Sequence, residues 1–492
     1  MSRANRAGNL IDRADAGVTA ARRAIYVAGI RPRVRMRELA LLALVALTLV
    51  LGWISLQSYR AGQFDIGDPT LLVVYLATLA AVHAAFVVTG RRMDQVLLPC
   101  AALLGGLSLL LMERLPQDLT AQSLGGALLP LAPLQTVWLV LGFVALAAVA
   151  VFVRNDGWLR RYKYTWAAAG IGLLLLVFLF GDTVGGARLS LRIGPISGQP
   201  SELLKVILVV FLAGYLAENR ALLTATSTRL GPLNLPPLPY LLPMLAMWGI
   251  ALAVVIVQRD LGAALLFFLV FLALVYAATR RAAFVVIGLL LFVVGSVVLY
   301  ALFAHVRTRV DVWLDPFADP LGSGYQIVRA LFAYGRGGVL GTGLGAGLPQ
   351  VGSVPAIPAV HTDFVFAALS EELGLIGGLA ILGVYLIIAE RGLRIAVGAA
   401  DDFRALLAAG LTLVIVIQAA VIAGGNLRIF PLTGVTLPLV SYGGSSMIVN
   451  CGIIGLLLAL SDRAVEPPPL VPARRFEWLR RRAAARRRAA AT

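Results

Sequence analysis

The sequence predicts an all-α polytopic membrane protein of about twelve transmembrane helices, and three observations predict it. Of its 492 residues, 60% are hydrophobic and only 14% charged, and the mean hydropathy is +0.88. That composition cannot coat the several water-facing domains into which a soluble chain of this length would divide. Apolar runs of about 18 or more residues recur along it, each long enough to cross a bilayer's hydrocarbon core. The 42 basic residues outnumber 25 acidic ones, a net charge of +17, and they gather on alternate connections between those runs.

The elements follow in order. Residues 1–37 are polar and Arg-rich, too long and too charged for a signal-peptide n-region, so the first apolar run reads as a retained signal-anchor. Spans are expected near 38–57, 70–89, 95–112, 133–153, 165–180, 202–217, 240–257, 261–278, 282–304, 363–389, 405–424 and 441–460. The seventh and eighth follow each other so closely that they form a tight hairpin. One long outer loop, 305–362, is rich in Gly and Pro and carries Asp311, Asp315, Asp319 and the run from Gly335 to Gly347. That run lacks the closing Gly-Lys-Ser/Thr of a nucleotide P-loop and reads as a re-entrant or interfacial turn-rich segment. After residue 462 comes a basic tail with eight arginines between Arg474 and Arg488. It reads as solvated or lying on anionic membrane lipids, and no nucleic-acid partner is expected.

Counting by side fixes the expected topology. With the N-terminus inside, 31 basic residues fall on the inner segments, ten arginines fall outside, and Lys205 lies within a span. Reversing the orientation would reverse the ratio, so both termini are expected in the cytoplasm. Cys100 and Cys451 lie in apolar segments, which suggests packing rather than a disulfide.

Several residues could carry chemistry. Only two of the basic residues are lysines, Lys163 and Lys205. Pro200 and Ser201 read as a helix start with Ser201 as N-cap. Glu202 and Lys205, three apart, share a face. They could form an intrahelical pair with the lysine snorkelling outward. Alternatively, Lys205 with Arg188 and Arg192 could form an anion site at one helix N-terminus, suited to a lipid phosphate. Arg259 and Asp260 read either as a structural ion pair or as functional charges near the outer membrane face. In His361-Thr362-Asp363-Phe364, Asp363 reads as a helix-start carboxylate favoured by the macrodipole or as a general base. Glu371 and Glu372 fall off its helical face, about 80° away and nearly opposite, and suit hydrogen bonds between helices. The segment Ser441-Tyr-Gly-Gly-Ser445-Ser permits close helix packing or close approach to a lipid headgroup. No Gly-x-Ser-x-Gly, His-Glu-x-x-His or Ser-x-x-Lys motif occurs, and His83, His305 and His361 have no ligand spacing.

Taken together, Gln199–Lys205, Gln258–Gly262, Asp315–Gly347, His361–Gly374 and Pro431–Ser446 resemble the SEDS family (shape, elongation, division and sporulation) of RodA and FtsW type. They occur in the family's order and cover most of the chain from about Arg188 to Ser461. The chain departs from the family in Arg188-Leu-Ser-Leu-Arg192, where an Arg-Arg-Trp run is usual, and in Gln258-Arg259-Asp260, which lacks a proline. The resemblance implies a ten-helix core preceded by two added helices: residues 38–112 hold the additions and the start of the core, 113–461 the core, and 462–492 the tail. It implies a peptidoglycan glycosyltransferase that polymerises lipid II on an undecaprenyl-linked glycan, with Asp363 catalytic and Lys205 beside the pyrophosphate. It also implies a class B penicillin-binding protein as partner. Arg188, Arg192 or a divalent cation (Mg²⁺ or Mn²⁺) would assist Lys205, although no spacing specifies a metal. The loop around Asp319-Pro-Leu-Gly-Ser-Gly-Tyr-Gln leans towards the RodA type. A lipid II flippase and a noncatalytic scaffold for a penicillin-binding protein are the competing readings.

Overall fold

The computed structural model describes residues 34–462 apart from 118–121, 125–126, 154–155, 185–186, 194–195, 226–227, 231–232, 348–349, 352–353, 356 and, between 236 and 259, all but 245 and 249. Among the described residues, eleven helices are long and apolar enough to cross a membrane. They are α1 (Met36–Ala61), α2 (Thr70–Thr89), α3 (Leu97–Arg114), α4 (Leu131–Phe152), α5 (Lys163–Phe180), α6 (Pro200–Ala225), α7 (Leu261–Thr279), α8 (Ala282–Leu302), α11 (Val365–Val397), α12 (Asp402–Asn426) and α13 (Gly444–Ser461). Each coincides with a predicted span. The remaining prediction, 240–257, and the hairpin it would form lie outside the described residues, as do the basic N-terminal segment and the Arg-rich tail. Two shorter helices, α9 (Ala304–Leu314) and α10 (Tyr325–Gly337), belong to the outer loop. The architecture is nearly all helical, with short antiparallel strands confined to connections. The longest, Ala187–Ile193, pairs with Asp182–Val184 and Ile196–Gly198.

Small residues set the tightest helix contacts. A Cβ at Gly455 on α13 would meet the Leu146 carbonyl of α4 at 2.6 Å, and one at Gly142 would meet Cys451 Sγ at 2.9 Å. Such close approach is how spanning helices gain van der Waals energy where lipid offers no hydrophobic drive. Cys100 and Cys451 are both free and buried, serving as packing.

The two added helices are bolted on by buried polar groups as well as apolar stripes. Arg35 is 2% exposed, pairs with Glu38 and donates to the carbonyls of Arg91 (3.3 Å), Met93 (3.2 Å) and Asp94 (2.8 Å). Glu38 also meets His83 Nδ1 at 2.7 Å, and the Tyr75 hydroxyl donates to Ala102 O at 2.7 Å. Several described basic residues counted as inner are engaged in ion pairs. Lys163 pairs with Glu218 (2.7 Å), Arg404 with Asp156 (2.8 Å), and Arg220 with Asp402.

The glycine-rich run, expected as a re-entrant or interfacial turn-rich segment, folds as turns packed against α11, with a purpose visible in its backbone. Helix α11 breaks at Gly374, whose φ is 70°. Thr342 N and Gly343 N donate to the orphaned carbonyls of Glu371 and Glu372, each at 3.0 Å. Leu375 N and Ile376 N donate in return to Gly338 O (2.9 Å) and Val339 O (3.2 Å). Nine residues at 1.5 Å rise put this break roughly 14 Å from the start of α11. At that depth a broken helix persists only where protein backbone replaces water. Glu372 accepts from Gly345 N at 3.1 Å and lies 3.4 Å from Arg114 Nε, while Glu371 pairs with Arg336 at 2.8 Å. The two glutamates thus bind loop to helix, as their angular offset from Asp363 suggested.

Candidate active site at the outer helix ends

Four chain segments converge at one end of the bundle: the start of α6, the start of α7, the turn before α11, and the stretch 431–443 before α13. A small cleft between the first two and the last is lined by Gln199, Glu202, Lys205, Asp260, Gly434 and Thr436, among others.

Lys205 is buried, at 2% exposed. Its ammonium donates to Glu202 Oε2 (2.6 Å), Gln418 Oε1 (2.8 Å) and Asn450 Oδ1 (2.9 Å). An ammonium has three protons, and three acceptors from three helices take them. The intrahelical pair with Glu202 therefore forms, but the lysine points into the bundle and does not snorkel outward. The expected N-cap role of Ser201 also needs correction. Helix α6 begins at Pro200, so Ser201 is its second residue, and its hydroxyl bonds instead to Asp260. Proline favours the first helical position because its missing N–H would be unpaired there anyway. That moves the boundary to Gln199, whose N–H donates to Ser445 Oγ at 3.1 Å.

Asp260 caps α7, with Oδ1 accepting from Ala263 N at 3.0 Å, while Gln199 Nε2 donates to Oδ2 at 3.3 Å. Burial pushes its carboxyl above the ordinary range, against the pull of the Ala263 and Ser201 hydrogen bonds. Arg259 lies outside the described residues. Arg188 and Arg192 sit on the Ala187–Ile193 strand, opposite Thr183 and Ser197 respectively. Their side chains lie outside the described part of the structure.

Asp363 does not cap α11. The helix begins at Val365 after Phe364, and no side chain caps it. Asp363 instead lies in a tight turn closed by its own N–H on Ala359 O (2.9 Å), with Ala359 at a φ of 54°. Two other elements clamp this turn by its backbone. Asn426 Nδ2 donates to Asp363 O at 3.0 Å, and the Ser441 hydroxyl donates to Thr362 O while accepting from Leu437 N at 2.8 Å. Ser441 is thus a fastener of the Asp363 turn. The His361 ring lies 5.8 Å from that of Tyr442, and burial lowers its pKa and keeps it neutral. Burial likewise raises the Asp363 carboxyl, opposed by a Thr362 hydrogen bond and the Arg309 charge. A carboxylate with a raised pKa at a clamped turn has the character of a general base.

Arg309, on α9, is a charged side chain at this site that sequence reasoning passed over. It donates to Thr433 O (3.1 Å) and Leu432 O (3.4 Å), and its charge faces both Asp260 and Asp363. Among the described residues, no three His, Cys, Asp or Glu side chains assemble into a metal site. The Arg309 guanidinium faces both aspartates.

The fold and site together define a helical membrane protein with a clamped acidic residue, a buried lysine and an arginine gathered at one end of its bundle. The model of the FtsW/RodA/SpoVE family, described as cell cycle proteins, matches residues 94–465, and the chain belongs to that family. It is 40% identical over 445 residues to the peptidoglycan glycosyltransferase RodA of Mycobacterium tuberculosis, covering 89% of this chain and 93% of that protein. It is 35% identical over 326 residues to the probable peptidoglycan glycosyltransferase FtsW of Legionella pneumophila, covering 65% of this chain and 79% of that protein. Among solved structures it is similar to one describing the coordination of polymerization and crosslinking by a peptidoglycan synthase complex. That likeness has a TM-score of 0.61 at 26% identity and covers 75% of this chain and 98% of the other. It is also similar to the crystal structure of the rod shape determining protein RodA of Thermus thermophilus, with a TM-score of 0.53 at 25% identity, covering 77% and 99%. Helices α1 and α2 precede the family match. Coverage of 89% with the mycobacterial protein reaches well ahead of residue 94, so the addition is shared with it in part.

Proposed function

We propose that this chain is a peptidoglycan glycosyltransferase that polymerises lipid II at the outer face of the cytoplasmic membrane. Asp363 is the observation that carries the reading: a carboxylate at the bundle's outer end, spent on no helix cap, on a turn clamped by α12 and Ser441. Its carboxylate accepts the proton of the acceptor sugar's 4-hydroxyl as that oxygen attacks the donor's anomeric carbon. The bond from that carbon to the phosphate oxygen breaks, and undecaprenyl pyrophosphate departs with the electron pair. Attack opposite an α-linked leaving group gives a β-1,4 glycan. The pyrophosphate is already a good leaving group and needs charge neutralisation more than an acid. Arg188 and Arg192, on the connection that leads into α6, are suited to supply it.

A crosslinking partner follows from the same likeness, since the similar synthase complex is described as coupling polymerization to crosslinking. We read that partner as a class B penicillin-binding protein, with both termini of this chain in the cytoplasm and the Arg-rich tail against anionic lipids. Elongation rather than division is favoured by 40% identity to RodA over 89% of the chain, against 35% to FtsW over 65%.

The test is reconstitution of the purified chain with lipid II, with and without the penicillin-binding partner, followed by separation of glycan polymer. Polymer is expected from the wild type and none from Asp363→Ala. Polymer made by Asp363→Ala would overturn the catalytic assignment. Translocation of labelled lipid without any polymer would replace the reading with a flippase.

A further inference from the structure

We infer that Arg309 is a positioning residue for the reaction, the built-in countercharge that holds Asp363 ionised beside the cleft. This inference rests on the proposed role of Asp363 as base. Arg309 is held rigidly. Its Nη1 docks on two carbonyls of the 431–443 stretch, and one turn further along α9 Trp313 Nε1 donates to Arg428 O (3.1 Å) while Arg428 Nε donates to Trp313 O (2.7 Å). A short helix fastened at both points cannot swing its guanidinium away. Gly434 stands between that guanidinium and Asp363. A Cβ built there would lie 3.8 Å from Asp363 Oδ2 and 3.9 Å from Arg309 Nη2, at a backbone φ of +72° that disfavours any side chain. Both charged groups thus lie within contact of one small position, which puts them in each other's field.

The charges around Asp363 make that field necessary. From the Asp363 turn come Thr362 and neutral His361, and from α12 the uncharged Asn426; Asp260, at the start of α7 and beside Glu202 of α6, shares the field of Arg309. Lys205 faces the same cleft, but its three protons are engaged by Glu202, Gln418 and Asn450. Burial favours protonated Asp363, which could take no proton from the acceptor. An opposite charge within a few ångströms lowers a carboxyl pKa by about one to three units. Arg309 is placed to do this.

The test uses the full-length chain, wild type against Arg309→Gln, Arg309→Lys and Asp260→Asn, with polymerisation rate measured across pH. Arg309→Gln is expected to move the acid limb upward by about one pH unit or more, with partial recovery of rate on the alkaline side. Arg309→Lys keeps most of the wild-type limb. Asp260→Asn, which retains a good N-cap residue, moves the limb downward by leaving Arg309 a single carboxylate to neutralise. Difference infrared spectra against Asp363→Asn follow the carboxyl band directly and report the same shifts without requiring turnover. A silent wild type would count against the proposed activity, while the infrared titration would still decide the role of Arg309. An Arg309→Gln limb and carboxyl titration coincident with wild type, whatever the absolute rate, would reduce Arg309 to a docking contact and overturn the inference. Should Arg309→Gln fail to fold, an unmoved carboxyl titration in Asp260→Asn overturns it equally.

Discussion

Replacing Lys205 with methionine removes the hub of a buried polar knot while keeping much of its volume. Three acceptors then lose their donor at once: Glu202 Oε2, Gln418 Oε1 and Asn450 Oδ1, on residues 6%, 1% and 0% exposed. Breaking a buried ion pair by deleting one partner costs about 3–5 kcal/mol, because a charge is left without compensation. Each stranded neutral acceptor adds about 1–3 kcal/mol where it finds no new donor. Some relief comes from Gln418, whose Nε2 still donates to Thr436 O at 2.8 Å, and from Asn450, whose Nδ2 donates to Ser446 Oγ at 3.1 Å. We therefore expect a net loss of about 4 kcal/mol. It would be measured by SDS-titrated unfolding of the purified protein in mixed micelles, followed by tryptophan fluorescence. Glu202→Gln in the Lys205→Met background should recover a large part of that loss, because it removes the uncompensated carboxylate. Additive single and double losses, or a Lys205→Met loss below about 1 kcal/mol, would refute the account of Lys205 as a shared hub.

Three further outcomes follow from the same geometry. Gly374→Ala places a Cβ 2.3 Å from Gly341 N and 2.5 Å from Val339 O at a φ of 70°, so the re-entrant loop should detach. Limited proteolysis would then cut 338–347 in the variant and spare it in the wild type. Gly434→Ala inserts a methyl between Asp363 and Arg309 at a strained φ; polymerisation should fall at least tenfold with little change in unfolding. Asp363→Asn should reduce the rate by about 10²–10⁴-fold. The wild-type rate should fall as pH drops through an Asp363 pKa raised by burial above the usual carboxylate value, because the protonated form cannot act as base.

Much of this was legible in sequence. Long apolar runs locate the spans because a bilayer demands unbroken hydrophobic length, whatever the tertiary packing. Asp363 stood out by its neighbours in His361-Thr-Asp-Phe. The engagement of Lys205 was half legible: Glu202 is one turn away, but Gln418 and Asn450 are 213 and 245 residues distant. Those two carried a signal of their own, as amides in the middle of apolar runs that must find partners. Ser201 misled because its residue type suits a cap, whereas Pro200 fixed the helix start one position earlier. Arg309 gave no local sign. It counts among ten outer arginines, and its meaning arises only when α9 folds back on Leu432 and Thr433, more than a hundred residues on.

The placement of cations then argues for a division of labour along the membrane normal. A lysine whose three protons are committed inside the bundle must abandon at least one acceptor before it can hold a phosphate oxygen, at about 1–3 kcal/mol for each group stranded. An arginine docked through Nη1 faces two carboxylates without surrendering a bond. The deep knot therefore serves best as a fixed wall. Through Glu202 it holds the start of α6 in place, and through Gln418 and Thr436 it holds the 431–443 stretch against α12. That stretch carries Gly434 and Ser441, which respectively leave space beside the Asp363 carboxylate and pin its turn. On this reasoning, a Lys205 substitution that lowers polymerisation should do so through misplacement of Asp363. Lys205→Met would then shift the pH limb of the rate as well as its height, whereas loss of a direct phosphate contact would raise KM and leave the limb in place.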